Sequence, residues 1–216
     1  LPELVINCVG LVKQLYESND PVAILPINSI FPHRLAKLCG EKGVRLVHIS
    51  TDCVFSGRKG MYKESDLADA QDLYGVSKRL GELSNSNSIT LRTSILGHEL
   101  NSNKSLVEWF LSQDGPIKGF KNAYFSGLPC VEIARIIKDH VIPNPRLSGL
   151  YHVSANPINK YDLLNLIAAT YKKNIFIEED LDLKIDRSLD CSEFKKSTGF
   201  KAKPWGELIY DMYKFR

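Results

Sequence analysis

Three short apolar runs, at residues 4–9, 44–50 and 89–93, are separated by stretches whose apolar positions recur every three or four residues. This alternation constrains the fold more than any other feature of the chain. The run at 44–50 is apolar and β-branched on both faces, which suits a strand covered on both sides in a parallel sheet. Strands that alternate with helical segments build α/β sheets with right-handed crossovers. The expected fold class is therefore α/β, with a doubly wound parallel sheet.

The first helical segment runs from residue 21 or 22 to residue 39, with Gly40 and Gly43 marking its end. Residues 55–72 form a loop rich in glycine and charge, and residues 73–83 a second helix. Beyond residue 97 the pattern changes. Short helices are expected at 105–112, 131–141, 160–171 (capped by Asn159), 191–198 and from Trp205, with strands at 149–153 and 175–177. Residues 118–129 read as irregular. The resulting division places a sheet region at 1–97, to which about 123–153 returns, and a smaller lobe at 98–216. Trp109 and Trp205 read as packing residues.

The composition sets outer bounds. A chain that is 44% hydrophobic and 25% charged has the makeup of a soluble globular protein. Its net charge of +3 is spread out, without a basic block or basic–aromatic stripe, which argues against nucleic acid as a partner. No apolar run approaches the ~20 residues of a membrane helix. The five cysteines (8, 39, 53, 130 and 191) are never in C-x-x-C pairs, and the histidines form no ligand-spaced cluster, so neither a metal site nor a disulfide framework is expected. The cytoplasm is the compartment such cysteine usage suits.

Chemistry concentrates in two segments. Ser50-Thr51-Asp52 ends the second apolar run, and Tyr74-Gly-Val-Ser-Lys78 opens the helix that follows. Residues four apart share a helix face, so the phenol of Tyr74 and the ammonium of Lys78 can point into one cleft. A nearby positive charge lowers a phenol from its ordinary pKa near ~10, which would make Tyr74 a usable proton donor in the reduction of a carbonyl. Tyr210 and Lys214 repeat the spacing but lack a hydroxyl-bearing strand end before them, and they read as a surface pair.

The segments His48-Ile-Ser-Thr-Asp-Cys-Val-Phe-Ser-Gly57, Tyr74-Gly-Val-Ser-Lys-Arg-Leu-Gly-Glu82 and Leu91-Arg-Thr-Ser94 resemble the extended short-chain dehydrogenase/reductases. Within that family the chain is most similar to the sugar-nucleotide reductases of the dTDP-4-dehydrorhamnose reductase type. The resemblance extends more loosely through Gly149-Leu-Tyr-His-Val-Ser154 and Asp186-Arg-Ser-Leu-Asp190. These relatives carry a tyrosine where this chain has Cys53. They also open with a glycine-rich turn that holds the cofactor pyrophosphate on a helix N-terminus, and no such turn occurs here. By the resemblance, residues 4–10 correspond to the fourth strand of the family, so that roughly sixty residues and three strands of its doubly wound sheet precede them there. The expectation is a fragment whose first strand is an open edge, and which by itself binds dinucleotide poorly.

The resemblance implies reduction of a 4-keto nucleotide sugar by NADPH or NADH. Thr51 would hold the carbonyl oxygen, Tyr74 would give the proton, and Lys78 would tune the phenol and bind the nicotinamide ribose. Asn7, Val9, Gly10, Ser50, Thr93 and Ser94 would line the cofactor, and Asn28 would support Lys78 through backbone and water. Asp52 would hold the turn after it. Asn103, Lys104 and Arg187 are the candidates for contacting the substrate diphosphate. Two alternatives stay open: a nucleotide-sugar epimerase or dehydratase on the same scaffold, and a non-catalytic subunit of the methionine adenosyltransferase regulatory type. The dehydratase is disfavoured by the absence of an Asp-Glu pair after Thr51. The sugar, the nucleotide, the choice between NAD and NADP and the oligomeric state are open; a homodimer is compatible with the sequence.

Overall fold

A computed structural model describes residues 1–100 and 104–216. Strands β1 (Leu4–Asn7), β2 (Arg45–Thr51), β3 (Ser88–Thr93) and β8 (Gly149–His152) form one sheet in the order β1-β2-β3-β8, with every pairing parallel. The α/β parallel architecture read from the alternation is thus the observed one. Apart from half-buried Arg45, β2 is buried along its whole length, and β3 is buried throughout. β1 lies at the edge of the sheet; its Ile6 is exposed, while Leu4 and Val5 are half-buried.

The first helical segment, expected as one helix, has two α-helical parts, α1 (Pro21–Leu25) and α2 (Phe31–Glu41), joined by a π-helical turn at Pro26–Ile30. Proline lacks the N–H that an α-turn requires, and Pro32 would have bonded the carbonyl of Asn28. The widened turn leaves Asn28 fully buried. Its amide donates to the Leu11 carbonyl (2.9 Å) and to Ser77 Oγ (3.2 Å), while its oxygen accepts from the Leu11 amide (2.8 Å). Helix α3 (Leu73–Leu80) starts at Asp72, whose carboxylate accepts the Gly75 amide at 3.0 Å. A Cβ at Gly75 would stand 2.4 Å from the Cys53 carbonyl. That glycine is what lets the first turn of α3 lie against the end of β2.

The remaining strands are short and pair across long sequence separations. β4 (Ile95–Leu96) pairs with β7 (Leu128–Pro129), and β5 (Ile117–Phe120) with β10 (Ile177–Asp180). β6 (Ala123–Phe125) pairs with both β9 (Ile158–Asn159) and β11 (Ile185–Asp186). The irregular reading of 118–129 is therefore corrected: these residues become strands because distant partners satisfy their backbones, which no local pattern announces. The strand expected at 175–177 begins instead at Ile177, where the parallel register with β5 starts.

Helices α4 (Leu106–Leu111), α6 (Lys160–Tyr171) and α8 (Trp205–Lys214) pack with β5 and β10 around Val107, Phe110, Leu163, Ile167, Ile177 and Ile209. A second core joins β2 and β3 to α5 (Cys130–Ile136), and takes in Phe194 of α7 (Ser192–Thr198) together with Phe200 and Leu208. Asn159 caps α6 as expected, accepting the Asp162 amide at 2.8 Å. Trp205 packs against both cores, and its indole N–H donates to the Asn156 carbonyl. Trp109 is more exposed than its expected packing role implies, at 38%.

Candidate active site

The carboxyl ends of β2 and β3 meet the first turns of α3 at a cavity of about 270 Å³. Thr51, Tyr74 and Lys78 all line it, with Val9, Gly10, Ser50, Thr93 and Ser94. A parallel sheet places its strand ends at one rim, which is where α/β proteins bind ligands. The helical spacing of Tyr74 and Lys78 brings both side chains to that rim.

Each group is held by its surroundings. The Lys78 ammonium donates to the Ile49 carbonyl at 2.8 Å. Burial pushes its pKa down to about 8, with Glu82 and Cys8 acting in the opposite direction. The Thr51 hydroxyl accepts the Cys53 amide at 3.1 Å and lies 3.3 Å from Asp52 Oδ1, to which it donates. Thr51 therefore caps the turn that Asp52 was expected to hold, while still facing the cavity. Asp52 is buried, and that burial raises its pKa, against the pull of Arg187 and of hydrogen bonds from its neighbours.

The expectation that Lys78 lowers the Tyr74 phenol is corrected. Burial raises the Tyr74 pKa, and the nearby Cys53, Asp52 and Asp72 raise it further; only a hydrogen-bonding interaction with Thr51 works the other way. Desolvation disfavours phenolate, and the lysine charge is engaged by the Ile49 carbonyl. In this arrangement burial favours the protonated form of the Tyr74 phenol.

Other sequence candidates fall differently. The Ser50 hydroxyl donates to Glu82 Oε1 at 2.7 Å, so this cofactor candidate is committed to the structure beneath the cavity. Asn7 does not line the cavity: its amide meets His48 Nδ1 at 3.1 Å and its oxygen accepts the Val9 amide at 3.1 Å. It shapes the segment that does. Lys104 is exposed and lines no cavity of this cleft, and Asn103 lies outside the described residues. Arg187 is half-buried and lines a second cavity, of about 320 Å³, which shares Lys13, Gln14, Asp52, Cys53, Ser94 and Ile95 with the first.

Two features escape a reading of the sequence. One is a buried polar network under the site. Arg92 makes a two-pronged pair with Glu82, both bonds at 2.7 Å, and its remaining nitrogen meets His152 Nε2 at 3.2 Å. His152 Nδ1 then bonds the Tyr62 carbonyl at 2.9 Å. Glu82 and Arg92 lie inside the quoted motifs, but their pairing belongs to the tertiary structure. The other is Lys160, which lines the second cavity. Its one local signal is a cation at the first position of a helix, where the helix dipole disfavours it.

The floor of the first cavity is left open by a glycine. A Cβ at Gly10 would stand 3.3 Å from Asn28 Oδ1 and 3.8 Å from Lys78 Nζ, so a side chain there would fill the floor between them. Among the described residues no helix is long and apolar enough to cross a membrane, and no group of His, Cys, Asp or Glu could hold a metal ion.

Comparison with known proteins places this geometry. The family described as RmlD substrate binding domain matches residues 1–215. The dTDP-4-dehydrorhamnose reductase of Mycobacterium tuberculosis is 38% identical over 86 residues, covering 37% of this chain and 28% of the relative. Methionine adenosyltransferase 2 subunit beta of Bos taurus is 25% identical over 183 residues, covering 79% of this chain and 55% of the relative. The chain thus spans less than two thirds of the length of these relatives. A crystal structure of Bacillus anthracis dTDP-4-dehydrorhamnose reductase in complex with NADP shares the fold, with a TM-score of 0.85 and 21% identity over 100% of this chain and 81% of that one.

Proposed function

The chain belongs to the RmlD substrate-binding domain family, and from that premise we propose that it carries the catalytic and substrate-binding residues of an NAD(P)H-dependent reductase of a 4-keto nucleotide sugar. The observation that carries this reading is the meeting of Thr51, Tyr74 and Lys78 in one cavity beside Val9, Gly10 and Thr93.

A bound nicotinamide would supply a hydride to the keto carbon. Lys78 and the backbone around Gly10 would hold its ribose, with Thr93 and Ser94 beside the ring. Thr51 holds the substrate carbonyl by turning its hydroxyl hydrogen from Asp52 to the carbonyl oxygen. As charge develops on that oxygen, Tyr74 gives it a proton. The phenol is raised by burial, so it holds its proton until the alkoxide forms beside it.

The test follows NAD(P)H absorbance with a 4-keto sugar nucleotide. Tyr74→Phe should lower turnover by roughly 10²–10⁴-fold, the usual contribution of a positioned general acid, with dinucleotide binding retained. Equal turnover by parent and Tyr74→Phe would overturn the assignment. A second reading is a subunit that binds without turnover. One alignment, over 79% of the chain, is with methionine adenosyltransferase 2 subunit beta. Dinucleotide binding without absorbance change on any 4-keto sugar nucleotide would favour that reading.

A further inference from the structure

Residues 44, 46 and 48 lie two apart along one strand, so their side chains share a face of the sheet. Val44 and Leu46 pack there with Ala36 and Cys39 of α2, as a core stripe should. The third position is His48, which is fully buried. An apolar side chain would continue the stripe without the cost of desolvating an imidazole. Among the described residues the ring makes one hydrogen bond, with the Asn7 amide at 3.1 Å, and its Nε2 is buried without a partner. Asn7 stands directly opposite His48 in the parallel register of β1 and β2.

The direction of each bond follows from its neighbour. The Val9 N–H can only donate, so the Asn7 atom that it meets at 3.1 Å is the side-chain oxygen. The Asn7 nitrogen is then the atom that faces His48 Nδ1, and it too can only donate. His48 Nδ1 therefore accepts, and the neutral ring carries its hydrogen on Nε2. Burial, with the Lys78 charge, holds the ring neutral. An N–H left buried and unpaired is a standing cost. What that cost secures is the one orientation of Asn7 in which its oxygen reaches Val9. The backbone held in this way is the floor of the first cavity, lined by Cys8, Val9, Gly10 and Leu11. Asn28 clamps the far end of the segment through both the amide and the carbonyl of Leu11. Asn7 clamps the near end at Val9. Gly10 lies between the two clamps, facing Lys78 Nζ.

We propose that His48 is a positioning residue: through Asn7 it fixes the backbone at Val9, and so sets the width of the first cavity between Gly10 and the Lys78 ammonium. His48 itself touches neither ligand nor reacting atom. Its place in the reaction rests on the ketoreductase reading, which it deepens. The clamp is measured without substrate or turnover, so a failed reductase assay leaves it readable and its own failure leaves that reading standing.

The experiment is nuclear magnetic resonance on the full chain. In the parent, the His48 ring nitrogens should show the Nε2–H tautomer between about pH 5 and 8, and a hydrogen on Nδ1 instead would overturn the clamp. His48→Met removes the acceptor while leaving a flexible apolar side chain in the stripe. Solvent exchange of the Val9 amide hydrogen should then quicken roughly tenfold, the size of one neutral hydrogen bond. Exchange at Leu11, which Asn28 holds, should stay within about twofold of the parent. His48→Gln offers a side-chain oxygen to the Asn7 amide, and should return the Val9 rate close to that of the parent. Unchanged Val9 exchange in His48→Met overturns the proposal, as does a Val9 rate that His48→Gln fails to restore. Equal quickening at Val9 and Leu11 also overturns it, since His48 would then serve general stability alone. Should His48→Met not fold, His48→Leu against His48→Gln carries the same comparison.

Discussion

On the sheet side of the cleft, Thr51, Tyr74 and Lys78 come from one strand–loop–helix unit, and nearly every polar group beneath them has a partner inside the chain. Ser50 meets Glu82, Glu82 meets Arg92, and Arg92 meets His152. On the other side, Lys160 and Arg187 come from segments far from β2 and from each other, and their charges lack ion partners among the described residues. A wall that satisfies itself is rigid before ligand arrives and can hold reacting groups in place. A wall left with unmatched charge selects what enters. The difference separates the chemistry that the cleft performs from the molecule on which it is performed.

Measurements on the sheet wall should reveal its dependence on internal partners, and the largest effect expected is acid lability. In the unfolded chain an imidazole takes up its proton near pH ~6.5. Folded, burial holds His48 down to about 3 and His152 to about 4. Between those values and the unfolded one, the unfolded chain binds more protons, so stability is complete above the window and is lost as pH falls through it. At about 1.4 kcal/mol per pH unit, His48 alone accounts for roughly 4–5 kcal/mol. Denaturant unfolding from pH 7 to pH 3 should show this loss, and a flat profile would mean that the two rings are not held neutral. The Nε2 atom of His48, buried without a partner among the described residues, makes that ring the more sensitive of the two.

Arg92→Met comes next. Breaking one half of a buried ion pair costs about 3–5 kcal/mol, and Glu82 would be left without its main partner. The midpoint of urea unfolding reads this directly. Lys160→Met should leave the midpoint unchanged or raise it slightly, so equal losses from the two variants would break the contrast between the walls.

Lys78 gives a smaller effect of the same pH sign, in a higher pH window. Its ammonium keeps its proton to about pH 10.5 in a free lysine, yet gives it up near 8 when folded. Between those values the unfolded chain holds more protons, and the penalty for burying this charge fades as pH rises. The stability of the parent relative to Lys78→Met should therefore move by about 3 kcal/mol in the parent's favour between pH 8 and pH 10.5. The smallest effect belongs to Lys203, which meets the buried Glu132 and the half-buried Asp211 at 3.1 and 2.9 Å, because Arg135 also pairs with both carboxylates. Lys203→Met should change stability by no more than about 1 kcal/mol, and 1 M salt should remove most of the difference.

The sheet wall was legible in the sequence because its signals are local. A strand buried on both faces shows as an unbroken apolar run at 44–50, and a shared helix face shows as a spacing of four between Tyr74 and Lys78. What Tyr74 experiences was not legible. Spacing shows that two side chains share a face, but it does not show that burial outweighs the lysine charge or that the ammonium is held by the Ile49 carbonyl. The short strands at Ile117–Phe120 and Ala123–Phe125 were missed for a related reason: their partners begin at Ile158, Ile177 and Ile185, and pairings of two to four residues leave no periodic trace.

The sequence by itself determined the parallel α/β sheet and the placing of a hydroxyl, a phenol and an amine at one strand end, since strand burial and helical spacing are properties of neighbouring residues. Only the tertiary structure decided the protonation of those groups, the buried Glu82–Arg92–His152 network and the cationic wall of Lys160 and Arg187. Each of these depends on the distance between segments that the chain brings together only when it folds, and electrostatic energy is set by that distance and by the water excluded from it.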